Sequence, residues 1–184
     1  MNNTTKVKPI IGRVGGKSRL APWILEHLSR FQWSIYCEPF CGSGAVYFRL
    51  VSEGIPEQIR ARGHHPRFVL NDADSRIVQL FRTCRDYPEL LAHAVKYTLY
   101  SREEHRLAQQ GIEGIEDEIE QARRYLVGNW QSVSGELNKM GSKSGWPHPG
   151  EADNANGLAY VISVGSVLLN STLNRVTAVF GLVI

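Results

Sequence analysis

The chain has 184 residues, of which 42% are hydrophobic and 21% charged, and this composition predicts a globular protein with one ordinary core. Its net charge of +3 and its pI near 8.8 permit contact with phosphates, but they are too small to identify a nucleic-acid-binding protein by themselves. No run of 18 apolar residues occurs and residues 1–8 are mostly polar, so we expect no membrane span, signal peptide or anchor, and the cytoplasm is the expected compartment.

The first predicted element is a short extended segment, residues 7–11, which leads into a glycine-rich loop that ends at Lys17. A helix should follow, because apolar residues recur at four-residue spacing from Leu20 to Leu28. We expect Ser18 to be the N-cap of this helix.

Two strand-loop-helix units come next. Residues 34–38 form a predicted strand, residues 39–44 a tight glycine loop, and the apolar residues beyond it a helix packed on a sheet. After a polar stretch, residues 67–70 are typical of a buried strand, which ends on Asn71 and Asp72 and precedes another helix. Because strand and helix alternate in this way, we predict an α/β fold with a parallel sheet and a ligand at the carboxyl ends of the strands.

Beyond Pro88 the pattern becomes helical, with predicted helices around residues 90–95 and 115–126 and an acidic run between them that we expect to be a solvated helix face. Residues 132–157 are rich in Gly, Ser and Asn and indicate a long functional loop. A helix at about residues 158–169 and a strand at residues 175–180 complete the prediction. A sheet with three strands is unfinished, since typical sheets carry about five or six. Its exposed edge favours self-association.

The loop Gly42-Ser43-Gly44 allows a ligand to approach the backbone closely, and it directs amide hydrogens at the start of a helix toward a carboxylate or phosphate. Asp72 can accept hydrogen bonds from both hydroxyls of a ribose, and Glu38 adds negative charge near a cationic group. An acid-lined site of this kind suits a ligand with a ribose and a positive sulfonium rather than a triphosphate. The same glycines also fit a simple tight turn without a ligand.

Other site patterns fit less well. Tyr47 stands where a dinucleotide-binding fold needs its third glycine, and Ser43 lacks the glycine spacing of a hydrolase elbow. Residues 12–18 come close to a phosphate-binding loop, but Ile11 occupies the required glycine position. A nucleoside-triphosphatase is therefore the rival enzyme class. The three cysteines have no CxxC spacing, so we predict no disulfide framework and no metal site.

Three sequence segments carry a specific resemblance to a known family. They are Gly15-Gly16-Lys17-Ser18-Arg19-Leu20, then Cys37-Glu38-Pro39-Phe40-Cys41-Gly42-Ser43-Gly44-Ala45-Val46, then Asn71-Asp72-Ala73-Asp74. In order and separation they resemble the Dam-type, class D12, DNA adenine-N6 methyltransferases, over residues 8–81 and more weakly to residue 175. The chain departs from the family pattern at Arg13, where an aromatic residue is usual, and at Asp74, where Asn is usual.

The resemblance implies an incomplete Rossmann-like methyltransferase sheet with a mostly helical target-recognition insertion. Residues 1–87 would be the cofactor-binding part, residues 88–170 the helical insertion, and residues 171–184 the start of a returning strand. The implied cofactor is S-adenosyl-L-methionine: the first motif packs over it, the second cradles its methionine part and the third holds its ribose. The implied cofactor-binding residues are Arg13, Lys17, Glu38, Pro39, Phe40, Gly42, Ser43, Gly44 and Asp72.

Double-stranded DNA is the partner that the resemblance implies. Four basic residues of the helical region are candidate phosphate or base contacts, although ordinary surface charge explains them equally well. These candidates are Arg123, Arg124, Lys139 and Lys143. Whether methylation would serve restriction-modification, repair or defence evasion stays open.

The family methylates adenine N6 with an Asp-Pro-Pro-Tyr motif after flipping the base out of the duplex. This chain has no Pro-Pro pair, so we predict no catalytic residue in it and expect that the catalytic end has been lost. Two hypotheses follow: a methyltransferase that is active only when a complementary segment supplies the missing strands, or a module that binds S-adenosylmethionine or DNA without turnover.

Overall fold

A computed structural model describes residues 7–12 and 15–132 of the chain. Within these ranges the chain forms a short 3-10 helix, two strands and seven α-helices. In chain order they are the 3-10 helix Lys17–Arg19, α1 (Ala21–Leu28), β1 (Ile35–Glu38), α2 (Ala45–Ser52), α3 (Ile55–Ala61), β2 (Arg67–Leu70), α4 (Ser75–Asp86), α5 (Pro88–Lys96), α6 (Arg102–Gln109) and α7 (Glu118–Trp130). None of the helices in this part of the chain is long and apolar enough to cross a membrane.

The two strands lie side by side and parallel, with Ile35 opposite Arg67. Burial alternates along both strands, so that Tyr36, Glu38 and Phe68 are enclosed while their neighbours are more exposed. This alternation is what a pleated strand produces when the described helices cover one of its faces. The parallel pair and the surrounding helices confirm the predicted α/β class.

Helix α2 lies in the core. Tyr47, Phe48 and Leu50 have no exposed area, and full burial of an aromatic or aliphatic side chain contributes about 1.5–3 kcal/mol. The ring of Tyr47 packs edge-on against Phe68 of β2 at 5.5 Å, and that of Phe48 against Phe81 of α4 at 5.8 Å. These contacts fix the start of α2 beneath the glycine loop that precedes it.

The helical region after residue 87 shares the same core. Helix α7 packs along α4, α5 and α6, and its Leu126 is fully buried together with Leu91 of α5. One cluster of buried apolar residues extends from Val7 to Leu126. The described helices of this region therefore stabilise the α/β part directly.

The prediction of Ser18 as an N-cap is wrong. Ser18 lies inside the 3-10 helix, which closes with a hydrogen bond from Leu20 N–H to the Lys17 carbonyl, and α1 begins only at Ala21. Pro22, in the first turn of α1, needs no N–H partner there and has a φ angle suited to a helix start. The helix therefore starts where proline favours it.

Two helices were not predicted. Helix α3 lies in the stretch that we expected to be polar connection, and it follows Gly54 with φ of 68°. Helix α6 is capped by Ser101, whose hydroxyl accepts a hydrogen bond from Glu104 N–H. Ser101 and Glu104 have the spacing of a capping box, a signal that could have identified α6.

The acidic run is only partly a solvated face. Asp117 caps α7, since its Oδ1 accepts a hydrogen bond from Ile119 N–H at 2.8 Å. Several other predictions fall outside the described residues. They are Arg13, residues 133–157 of the long loop with Lys139 and Lys143, the helix at 158–169, and the strand at 175–180 with its edge.

Candidate functional site

The loop after β1 is joined to the end of β2. Cys41 N–H donates a hydrogen bond to the Asn71 carbonyl at 2.8 Å, and Gly44 N–H donates one to the Cys41 carbonyl at 2.9 Å. Gly42 and Gly44 have φ angles of 53° and 67°, a left-handed backbone that glycine adopts without a steric cost. The two glycines therefore form the tight turn that their spacing predicts.

Asp72 fastens this loop from the other side. Its Oδ2 accepts a hydrogen bond from Gly42 N–H at 2.8 Å, and its Oδ1 accepts one from Asp74 N–H at 3.0 Å. A carboxylate offers about four lone-pair sites, so two of them remain for a ligand. Asp72 can therefore hold the loop and bind a ligand hydroxyl at the same time.

Asp74 connects the end of β2 to α4 and α7. It caps α4 by accepting a hydrogen bond from Arg76 N–H, and its two oxygens bind the Arg76 guanidinium, each at 2.8 Å. The guanidinium lies over the ring of Tyr125 in α7, 5.5 Å from its centroid. This chain of contacts links Asp72 to α7.

Glu38, the last residue of β1, is a buried acid with 9% of its area exposed. Its Oε1 accepts hydrogen bonds from the Tyr36 hydroxyl at 2.7 Å and from Tyr47 N–H, in the first turn of α2, at 3.0 Å. Burial raises the pKa of the Glu38 carboxyl, while these two hydrogen bonds and the charge of Lys17 lower it less strongly. Burial and this carboxylate in turn raise the pKa of Tyr36.

Lys17 joins the first glycine loop to the second. Its Nζ donates a hydrogen bond to the Phe40 carbonyl at 3.2 Å. Phe40 itself is 74% exposed at the rim of the second loop. The first and second sequence motifs, 23 positions apart at these two residues, are therefore in contact.

The three segments meet around a cavity of about 230 Å³ at the carboxyl ends of the strands. It is lined by Gly15, Gly16, Lys17, Glu38, Phe40, Cys41, Gly42, Ser43, Ala45 and Asp72. Pockets that enclose a whole ligand usually measure about 300–1,000 Å³, so this cavity is large enough for only part of such a ligand. Over residues 7–12 and 15–132, no group of His, Cys, Asp or Glu has the arrangement of a metal site.

Most of the predicted cofactor residues lie in this lining, namely Lys17, Glu38, Phe40, Gly42, Ser43 and Asp72. Pro39 and Gly44 support the loop instead. The Pro39 carbonyl accepts a hydrogen bond from the Asn71 side chain, and a Cβ on Gly44 would meet Phe48 Cε2 at 2.8 Å. Arg13 lies outside the described residues.

Cys41 was not predicted to lie in the cavity. Burial raises the pKa of its thiol to about 12, and the carboxylates of Asp72 and Glu38 contribute to this shift. The thiol is therefore neutral at physiological pH and lacks the thiolate that a nucleophile needs. Its position inside the second motif was visible in the sequence, but the side of the turn on which it lies was not.

A second cavity of about 260 Å³ lies before the strands begin, lined by Phe31, Gln32, Trp33, Ser34, Ile59, Arg62 and His64. It contains neither carboxylate nor glycine loop. Parallel sheets bind ligands at the carboxyl ends of their strands, so the cavity beside Asp72 is the better candidate.

Arg123 and Arg124 have different surroundings. The Arg123 side chain is 13% exposed, and its guanidinium binds Glu104, Glu120 and the Thr98 hydroxyl. Arg124 binds Glu120 with a side chain that is 23% exposed. This geometry favours a structural role for Arg123, which joins the segment after α5 to α6 and α7, while DNA contact by these arginines stays a prediction.

A family model described as D12 class N6 adenine-specific DNA methyltransferase matches residues 14–126, which include every segment that lines the cavity beside Asp72. Type II methyltransferase M1.LlaDCHI of Lactococcus lactis subsp. cremoris is 29% identical over 89 residues, which cover 48% of this chain and 26% of that protein. The match therefore spans about a quarter of that relative's length.

Proposed function

This chain belongs to the D12 class N6 adenine-specific DNA methyltransferase family, and from this premise we propose that its described part binds S-adenosyl-L-methionine in a DNA adenine-N6 methyltransferase. The observation that carries the proposal is the cavity at the carboxyl ends of β1 and β2, where two glycine loops and two carboxylates meet. The parallel pair would belong to a Rossmann-like sheet.

The residues around the cavity fit this cofactor, which when bound supplies a methyl group on a positively charged sulfur. Glu38 and Asp72 place two carboxylates at the cavity, and opposite charges attract strongly where burial limits screening. Beside Gly42 there is room for a ligand, since a Cβ built there would have no neighbour within 4 Å. The two carboxylates and the open space beside Gly42 therefore suit a cationic ligand with ribose hydroxyls.

Each segment has a proposed task. Residues 38–44 would receive the methionine part, and Asp72 would accept hydrogen bonds from the ribose hydroxyls with its two remaining lone-pair sites. Lys17 and the glycines before it would pack over the cofactor, held in place by the bond to the Phe40 carbonyl.

A nucleoside triphosphate would fit this cavity poorly. The carboxylates of Glu38 and Asp72 would repel the negative charge of the phosphates. The same two acids that favour a sulfonium therefore argue against the phosphate-binding-loop alternative.

For the substrate we propose adenine in double-stranded DNA, in keeping with the family description. The chain has no Pro-Pro pair, so we assign it no residue of an Asp-Pro-Pro-Tyr motif and no catalytic residue. A second candidate, which the lining of the cavity fits equally well, is a module that binds the cofactor or DNA without turnover.

Calorimetric titration tests the cofactor proposal. The purified chain should bind S-adenosylmethionine saturably and magnesium-ATP not at all. Asp72→Ala should abolish this binding, whereas Asp86→Ala should preserve it because Asp86 pairs with Arg85 at the surface, outside the cavity lining. A folded chain that binds only magnesium-ATP, or neither ligand, would contradict the proposal.

Turnover separates the two candidates. Transfer of a labelled methyl group to adenine in duplex DNA would support the methyltransferase. The binding module would be supported if the chain bound the cofactor but transferred no methyl group, both alone and after addition of a segment that contains the Asp-Pro-Pro-Tyr motif.

A further inference from the structure

Helix α7 reaches both sides of the cavity through two side chains. Tyr125 and Asn129 are four residues apart, which places them on the same face of the helix. Each has only 4% of its area exposed. Neither lines the cavity, yet each contacts a segment that leads to it.

Asn129 binds both backbone groups of one residue. Its Oδ1 accepts a hydrogen bond from Gly12 N–H at 3.0 Å, and its Nδ2 donates one to the Gly12 carbonyl at 2.8 Å. The indole Nε1 of Trp130 adds a hydrogen bond to the Ile10 carbonyl at 2.8 Å. The chain that enters the first glycine loop is therefore fixed by α7, 117 positions away in sequence.

Tyr125 supports the opposite side. The guanidinium of Arg76 lies over its ring, and this guanidinium binds both oxygens of Asp74. Asp74 N–H in turn donates a hydrogen bond to Asp72. Helix α7 is thus connected to the Asp72 side of the cavity as well as to the first loop.

We propose that Asn129 is a positioning residue for the cofactor, which sets cofactor affinity by fixing the first glycine loop against the second. Among the described residues of this loop, Gly12 is held by Asn129 and Lys17 by the Phe40 carbonyl. A wall ordered in advance spares the ligand the entropy of ordering it. This inference deepens the proposed function and rests on it.

The first test compares two substitutions at the end of α7. Asn129→Leu removes both hydrogen bonds to Gly12 with little change in volume. Gln131→Leu is the matched control, because Gln131 is fully buried but donates to the Leu99 carbonyl instead. We expect Asn129→Leu to weaken S-adenosylmethionine binding about tenfold or more, because each of the two lost hydrogen bonds is worth a factor of about two to ten. Equal effects of the two substitutions, or none from Asn129→Leu, would overturn the inference.

A conservative variant supplies a readout that general destabilisation would not reproduce. In Asn129→Asp the ionised carboxylate still accepts from Gly12 N–H but repels the Gly12 carbonyl, whereas the protonated acid again has a donor. Burial raises the pKa of such an acid. The affinity of Asn129→Asp for S-adenosylmethionine, relative to wild type, should therefore recover as pH falls from about 8 to about 5.5. A ratio that does not change with pH would count against positioning by this pair of bonds.

Hydrogen exchange without any ligand keeps the two proposals distinguishable. Amides of residues 15–19 should exchange faster in Asn129→Leu than in wild type or Gln131→Leu. Unchanged exchange would refute positioning. If wild type bound no S-adenosylmethionine while this acceleration was seen, the proposed cofactor would be wrong, and the positioning of the loop by Asn129 would stand.

Discussion

Gly42 and Gly44 offer a matched pair for testing how the second loop divides its tasks. Both have a left-handed backbone, so an alanine at either position costs about 1–2 kcal/mol of folding free energy. At Gly44 the new Cβ would also lie 2.8 Å from Cε2 and 3.1 Å from Cδ2 of the fully buried Phe48. Overpacking of this kind adds about 1–3 kcal/mol. Gly44→Ala should therefore destabilise the fold by about 2–5 kcal/mol and Gly42→Ala by about 1–2 kcal/mol.

Urea unfolding followed by tryptophan fluorescence measures this difference, and titration with S-adenosylmethionine measures the complementary effect. Gly42 lines the cavity and its missing Cβ faces open space, so Gly42→Ala should weaken binding by a fully folded chain. Equal losses of stability in the two variants would refute the assignment of Gly44 to packing. Unchanged affinity in Gly42→Ala would refute the assignment of Gly42 to the ligand.

Three further predictions concern charge and burial. Burial raises the pKa of the Glu38 carboxyl, so this group stabilises the fold at pH values below its ordinary pKa of 4.5, and the contribution is lost as pH rises through the folded-state pKa. Glu38→Gln should therefore unfold at a higher urea concentration than wild type at neutral pH and bind the cofactor less tightly. Lower stability of Glu38→Gln at neutral pH would contradict this. Arg123→Ala should cost about 1–3 kcal/mol in urea unfolding and Arg124→Ala under about 1 kcal/mol, and the reverse order would exclude the structural role of Arg123. The exposed Cys37 should react with a maleimide in the native state, while the buried Cys41, with a thiol pKa raised to about 12, should react only on unfolding; equal rates would contradict this.

The sequence was most informative where local patterns decide the structure. The strand at residues 67–70 was predicted with the bounds that β2 has, because an apolar run ends at an acidic turn. The second glycine loop and Asp72 were expected at one edge of a parallel sheet, and they line one cavity. Parallel strands bring the residues after them together whatever the rest of the chain does.

The sequence was least informative where a residue's role depends on a distant partner. Arg123 was judged by its charge alone, and its two carboxylate partners on α6 and α7 were not visible in that charge. Gly44 was grouped with Gly42 because both belong to one motif, and only packing against Phe48 separates their roles. The hydrogen bonds between Asn129 and Gly12 follow no periodicity that a sequence displays.

These long-range contacts bear on where the cofactor-binding part ends. A division at residue 87 follows the change from alternating strands and helices to helices alone. The hydrophobic cluster nevertheless continues to Leu126, and the hydrogen bonds that fix Gly12 come from Asn129. A segment cut at residue 87 would lose the buried face that α7 gives to α4 and would leave both backbone groups of Gly12 without these partners. The cofactor site that we propose thus needs the chain through α7, although the described residues that line its cavity lie before this helix.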